Sequence, residues 1–189
     1  MPESPEEFYE RARTGTSVPP LDEWDSWPFD GELCVRELEP PVDVEHPRFG
    51  EGGVDCRRCK LGDEGALWSN ERWTVRPLDK PSGLPVVVLL ETRRHVDFPD
   101  LDEQETADLG PLMLKIHDAV MAVPGVGRVH IGRWGEGGEH CHIWFMGRPA
   151  RMEQLRSSFA AIWDDVLPPV PEDIWRESLA IVASELRAD

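Results

Sequence analysis

The stretch His140-Cys141-His142-Ile143-Trp144-Phe145 decides the reading of this chain. Polar and apolar side chains alternate along it, as they do on a strand with one face in the core. Alternation places His140, His142 and Trp144 on one face, and Cys141, Ile143 and Phe145 on the other. Same-face neighbours on a strand start about 7 Å apart, so two imidazoles become neighbours on a surface that also carries an aromatic. Upstream, Arg128-Val129-His130-Ile131-Gly132-Arg133-Trp134 reads as the partner strand, and the glycine-rich residues 135–139 as the connection between the two. That connection opens no helix, so it is a hairpin loop and not a phosphate loop.

Working outward, residues 66–78 (ALWSNERWTVRPL) predict two strands around an Asn70-Glu71 turn, and residues 85–91 (PVVVLLE) a central strand. Leu109, Leu112, Met113, Ile116 and Val120 recur at helical spacing, with Pro111 expected to kink that helix or begin its main portion. Two amphipathic helices follow the last strand. One carries Leu155, Phe159, Ile162 and Trp163; the other, after residues 168–173 (PPVPED), carries Trp175, Leu179, Val182 and Leu186. This order predicts an α+β fold with a mainly antiparallel sheet and a long helix. The predicted divisions are an N-terminal arm over residues 1–54, a core over 55–148 and a C-terminal helical extension over 149–189. In the arm, Ser4, Pro5 and Glu7 signal a short helix start, and Trp24, Trp27 and Phe29 are its expected anchors.

With 37 acidic against 20 basic residues among 189, the net charge is -17. Such a surface argues against nucleic acid and against anionic membranes as partners. It leaves room for a small anionic substrate in a local pocket, where Arg93, Arg94 and Arg133 would offset the acidic field. No run of 18 apolar residues occurs and the first residues do not read as a secretory signal, so a cytoplasmic protein is expected. Cys34 and Cys141 stand alone, whereas Cys56 and Cys59 form a C-x-x-C pair. No thioredoxin-like pattern surrounds that pair, which favours a metal grip over a redox couple; tetrahedral zinc then needs two more N or S ligands.

Three segments together resemble the histidine triad superfamily, including its galactose-1-phosphate uridylyltransferase branch. Asp55-Cys56-Arg57-Arg58-Cys59 is similar to that branch's zinc-binding C-x-x-C. Residues 86–101 (VVVLLETRRHVDFPDL) resemble its strand, basic residue, histidine and entry into the long helix. Residues 128–145 (RVHIGRWGEGGEHCHIWF) resemble its final hairpin with the H-x-H signature. The resemblance covers roughly residues 55–148. It implies a structural zinc held by Cys56, Cys59, His95 and His140, a nucleophile at His142, and members that commonly pair into homodimers.

In that chemistry an imidazole nitrogen attacks the α-phosphorus of a nucleotide, and the covalent nucleotidyl-histidine passes to water or to a second phosphate. Neutral imidazole is nucleophilic near neutral pH, and a covalent intermediate splits one difficult displacement into two. Arg133 and Arg148 are the expected balances for charge on the phosphoryl oxygens. Trp144 stands at the third triad position, where the uridylyltransferase branch has Gln. Its indole offers one N–H donor and no acceptor, so it serves as a wall or a single donor. His130 reads as a structural residue that shares the pocket face. The expected function is a nucleotidyl hydrolase or transferase acting on a nucleoside phosphate. Two alternatives are acid-base or elimination chemistry on the same scaffold, in specialised metabolism, and a non-catalytic binding protein stabilised by zinc.

Overall fold

β-Branched and aliphatic side chains in succession favour extended backbone, and Val86–Thr92 forms the middle strand of a sheet in which all seven of its residues are buried. The computed structural model describes residues 39–188 together with Glu10, Trp27, Phe29 and Gly31. The chain divides into two compact units, Met1–Pro47 and Arg48–Asp189. In the first, the Trp27 and Phe29 rings meet edge to face, 5.3 Å between centroids. The expected helix start at Ser4 and the anchor Trp24 lie outside the described residues, as does Cys34.

The second unit carries β1 (Trp68–Ser69), β2 (Trp73–Pro77), β3 (Val86–Thr92), β4 (Val126–Gly132) and β5 (His142–Pro149) in one sheet of order β1-β2-β3-β5-β4. All neighbouring pairs are antiparallel. With α1 (Arg57–Leu61), α2 (Glu103–Met121), α3 (Phe159–Val166) and α4 (Glu172–Arg187), this is the expected α+β architecture.

The two sheet faces differ in chemistry. Trp73, Val75, Val86, Val88, Leu90, Ile143 and Phe145 form one face and pack on Leu112, Ile116 and Val120 of α2 and Leu179, Val182 and Leu186 of α4. Burying each large aliphatic side chain in such a layer contributes roughly 1.5–3 kcal/mol. The opposite face is apolar at one end only. There Val87 and Met146 meet Leu84 and Leu155, with Trp163 of α3 packed against them. At its other end the same face carries Thr74, Arg76, Glu91 and His142, which the strand register sets side by side. The C-terminal helices therefore cover the two faces unequally and leave the polar end uncapped by α3.

Three details depart from the expectations. The long helix runs from Glu103 through Pro111 to Met121, so it starts eight residues before the proline instead of at it. Its start is fixed earlier by a reciprocal capping box: Glu105 N–H donates to Asp102, and Asp102 N–H to Glu105 at 2.9 Å. Leu155 sits in a separate 3-10 turn, Glu153–Leu155, because Ser157 adopts φ 58° and breaks the helical path before α3. The last strand begins at His142, not at His140. Cys141 N–H bonds instead to the Val96 carbonyl at 2.8 Å, which frees the His140 ring from strand alternation. Among the described residues no helix is long and apolar enough to cross a membrane.

Candidate metal centre and active site

Cys56 caps α1 and Cys59 lies one turn further on, the local geometry that aims two thiols at one point. The approach to the turn is tight. Gly50 has φ 77°, and a Cβ there would stand 3.1 Å from the Cys56 Cβ. His95, from the loop after β3, and His140, from the segment before β5, bring two imidazoles to the same place. One donor atom from each of the four lies within 4.8 Å of all the others. The Cys56 Sγ is 3.4 Å from His140 Nδ1, and the Cys59 Sγ is 3.5 Å from His95 Nδ1. A tetrahedral ion with Zn–S near 2.3 Å and Zn–N near 2.0 Å calls for separations of about this size.

The outer ring nitrogens complete the test of fit. His140 Nε2 meets the Thr92 carbonyl at 2.6 Å, and His95 Nε2 meets a Glu139 carboxylate oxygen at 3.1 Å. Each imidazole thus has an acceptor for its far N–H, which turns Nδ1 toward the thiols and raises its basicity as a ligand. Burial disfavours the charged form of both thiols, and the pair divides the strain unequally. Cys56 is held below the ordinary thiol range by hydrogen bonds from Cys59 and His95, while burial and the neighbouring Cys56 push Cys59 up to about 11. A divalent cation between the two sulfurs would offset the negative charge of both. The set Cys56, Cys59, His95 and His140 is brought together as the sequence implied, and it fits a metal ion.

His142 follows immediately. Its Nδ1 is 2.7 Å from the His140 carbonyl oxygen, so Nδ1 carries the proton and Nε2 is left with its lone pair. The ring is half-buried and edges Trp144, 6.4 Å between centroids; Trp144 in turn edges Trp134 at 6.0 Å. Trp134 folds over Gly132, the cross-strand partner of Trp144, where a Cβ would stand 2.9 Å from that ring. Beyond Trp134 lies a mostly apolar cavity of about 250 Å³, walled by His130, Ile131, Met146 and Ala161. Burial, and then Arg148, hold His130 below the ordinary imidazole range.

The arginines named from sequence are engaged elsewhere. Arg133 pairs with Asp97 and lies over the Phe98 ring at 5.0 Å. Arg148 donates to the Pro149 and Met152 carbonyls, both at 3.0 Å. Arg93 pairs with Asp63, and Arg94 with Glu105 at 2.7 Å. The sequence reading missed a cluster under His142. Glu91 is its cross-strand partner, only 2% exposed, and lies 2.9 Å from Arg58 Nε and 3.2 Å from Arg76 Nε. Burial pushes the Glu91 carboxyl up, against the pull of both guanidiniums. Polar residues at Thr74, Arg76 and Glu91 in otherwise apolar strands were the available signal.

Comparison with known proteins places the fold. The structure is similar to a hypothetical histidine triad nucleotide-binding protein from Sulfolobus tokodaii (13% identity, TM-score 0.51, 69% of this chain and 91% of that one). It is similar also to a histidine triad protein from Sinorhizobium meliloti 1021 (15% identity, TM-score 0.51, 67% and 93%). A third is a mutant uridylyltransferase (17% identity, TM-score 0.51), where 74% of this chain spans 49% of that one. No protein-family model and no curated protein matches the chain. The fold is that of the histidine triad proteins, as the sequence motifs implied.

Proposed function

We propose that the protein is a nucleotidyl hydrolase or transferase that acts on a nucleoside phosphate through a covalent intermediate on His142. The observation that carries this reading is the 2.7 Å contact from His142 Nδ1 to the His140 carbonyl. It fixes one tautomer and presents Nε2 as a nucleophile without a separate base. In the first step the Nε2 lone pair forms the N–P bond and the bond from phosphorus to the leaving oxygen breaks. The leaving group departs as a phosphate anion. In the second step the oxygen of water, or of an acceptor phosphate, forms a bond to phosphorus as the N–P bond breaks. Water gives up its proton to solvent, and the neutral ring is restored.

Zinc is the ion best suited to two thiols and two imidazoles, and when bound it would serve as a structural pin. Cys56, Cys59, His95 and His140 would hold it. By fixing the His140 ring they also fix the carbonyl on which His142 rests. Trp144 walls the site and has one N–H to offer a phosphoryl oxygen. The partner in this reading is a small nucleotide, in a cytoplasmic protein that pairs as a homodimer, with no role for nucleic acid or membrane.

Incubation of the zinc-replete protein with α-labelled adenosine and uridine phosphates tests the reading. An acid-labile labelled protein is expected, and His142→Ala should abolish it. The absence of label across the whole panel would sink the proposal. The apolar cavity beyond Trp134 favours one second reading, acid-base or elimination chemistry on an apolar substrate with His142 as base. That reading gains if apolar ring compounds bind and nucleotides do not.

A further inference from the structure

We propose that the small cavity between α1, β2 and β3 is an oxyanion subsite in which Arg58 and Thr74 bind a phosphate group other than the one attacked by His142. Its role as the site of the substrate's second phosphate rests on the nucleotidyl reading above; the binding of the anion does not.

The cavity measures about 60 Å³ and is lined by Arg58, Arg76, Arg93, Thr74 and Glu91 among others. Three guanidiniums face it, and their donors are unequally committed. Arg93 pairs with Asp63. Arg76 gives Nε to Glu91 and its terminal amino groups to the Glu64 and Gly62 carbonyls. Arg58 approaches Glu91 with Nε alone, and among the described residues its two terminal amino groups have no partner. Its side chain is 25% exposed, so that fork reaches open space. The Thr74 side chain, in a residue only 3% exposed, likewise has no hydrogen-bond partner among the described residues.

Charge and shape then select the ligand. Glu91 lines the cavity too, but its single negative charge is set against two guanidiniums, Arg58 and Arg76, which leaves one positive charge in surplus. In a chain of net charge -17, an anion needs such local compensation to be held at all. A planar fork of N–H donors matches two oxygens of a phosphate, and a hydroxyl supplies a third donor. A cavity that admits benzene measures about 150 Å³. The space beside Arg58 is well below that, too small for a base and of the scale of one tetrahedral anion. Its position is equally specific: Glu91 and His142 are directly paired across the sheet, with Cβ atoms about 5 Å apart. Thr74 of β2 is paired in turn with Glu91, so an anion there lies across β3 from the nucleophile, with Thr74 and His142 two strands, about 10 Å, apart.

Calorimetric titration of the full chain, loaded with zinc, with inorganic pyrophosphate, nucleoside diphosphate and nucleoside monophosphate tests this. Pyrophosphate and diphosphate should bind with salt-sensitive affinity. Arg58→Gln should weaken both at least tenfold and leave the monophosphate unchanged; Thr74→Val should weaken both about threefold. Because Arg58 lies between the two thiols and balances Glu91, the paired variant Arg58→Gln/Glu91→Gln removes both charges together. Its zinc content and melting temperature report folding, and it should bind pyrophosphate as weakly as Arg58→Gln alone. Wild-type affinity in that folded double variant, or no pyrophosphate binding by the parent protein, overturns the subsite. A labelled His142 adduct with no Arg58 dependence also overturns it and leaves the nucleotidyl reading standing. Arg58-dependent pyrophosphate binding without any adduct supports the subsite and fails the nucleotidyl reading.

Discussion

His142 and His140 are joined ring to backbone: the Nδ1 of one stands 2.7 Å from the carbonyl oxygen of the other, while the His140 ring turns away to the thiols. One dipeptide step thereby links a metal ligand to the reactive imidazole. The nucleophile's tautomer depends on a backbone carbonyl that no side-chain substitution at 140 removes.

From this follows a rescue experiment. His142→Gly should lower adduct formation by at least about 10³-fold, the scale on which loss of a covalent nucleophile is felt. Added imidazole, free to occupy the vacated space, should restore part of the rate with nucleotidyl-imidazole as product. Rates in His142→Gly equal to those of the parent protein would remove His142 from the chemistry.

The strands, the long helix and the four clustered ligands were readable in the sequence, for different physical reasons. Alternation in Ile143 and Phe145 and the helical spacing of Leu112, Ile116 and Val120 are local patterns, and both faces proved buried. The ligand set needed long-range closure across 84 residues from Cys56 to His140, which only the resemblance to a family supplied. For the Arg58–Glu91–Arg76 cluster, charges inside apolar strands marked Arg76 and Glu91 as unusual, but nothing local named Arg58 as their partner. Strand register alone puts Glu91 beside His142, and only the fold of the cysteine turn brings Arg58 to it. Arg133 shows what sequence hides in another way: its charge suggested a phosphoryl partner, and the fold adds a pairing with Asp97 that no local pattern announces.

Removal of the metal should be costly. Cys59→Ser should abolish stoichiometric zinc, about one equivalent per chain, and lower the melting temperature; chelation of the parent protein should do the same. Glu139→Gln keeps all four ligands and weakens the acceptor on His95 Nε2, an oxygen that also takes the Gly52 N–H, and it removes the charge facing Arg48. It should weaken zinc about 10- to 100-fold in competition with a chelating dye, the range for lost outer-shell partners. An unchanged melting temperature with no metal in the parent protein would refute the centre.

His130 offers a pH test remote from the metal ligands. Its folded pKa lies below the ordinary 6.5, through burial and then Arg148. The unfolded chain therefore binds this proton more readily. The stability it contributes is fully present above pH 6.5 and is lost as pH falls from there through the lowered folded value. His130→Gln should flatten this part of the curve, read as urea stability between pH 7.5 and pH 5. An identical slope in parent and variant would mean that His130 keeps its charge when folded.

Glu91 and Arg76 form the most deeply buried ion pair near the site, 3.2 Å apart with side chains 2% and 5% exposed. Glu91→Ala leaves two guanidiniums without their counter-charge in a low-dielectric layer and should cost about 3–5 kcal/mol in urea denaturation. Charge loss and volume loss can be separated. Glu91→Leu fills the space yet still strands Arg76, so it should be nearly as damaging. Glu91→Leu with Arg76→Met removes both charges and should recover part of the loss, short of the parent because the Gly62 and Glu64 carbonyls lose their donor. The cycle should give a coupling energy of about 1–3 kcal/mol. Additive effects would show that the pair acts through packing alone, and that the positive surplus beside His142 is not held in place by Glu91.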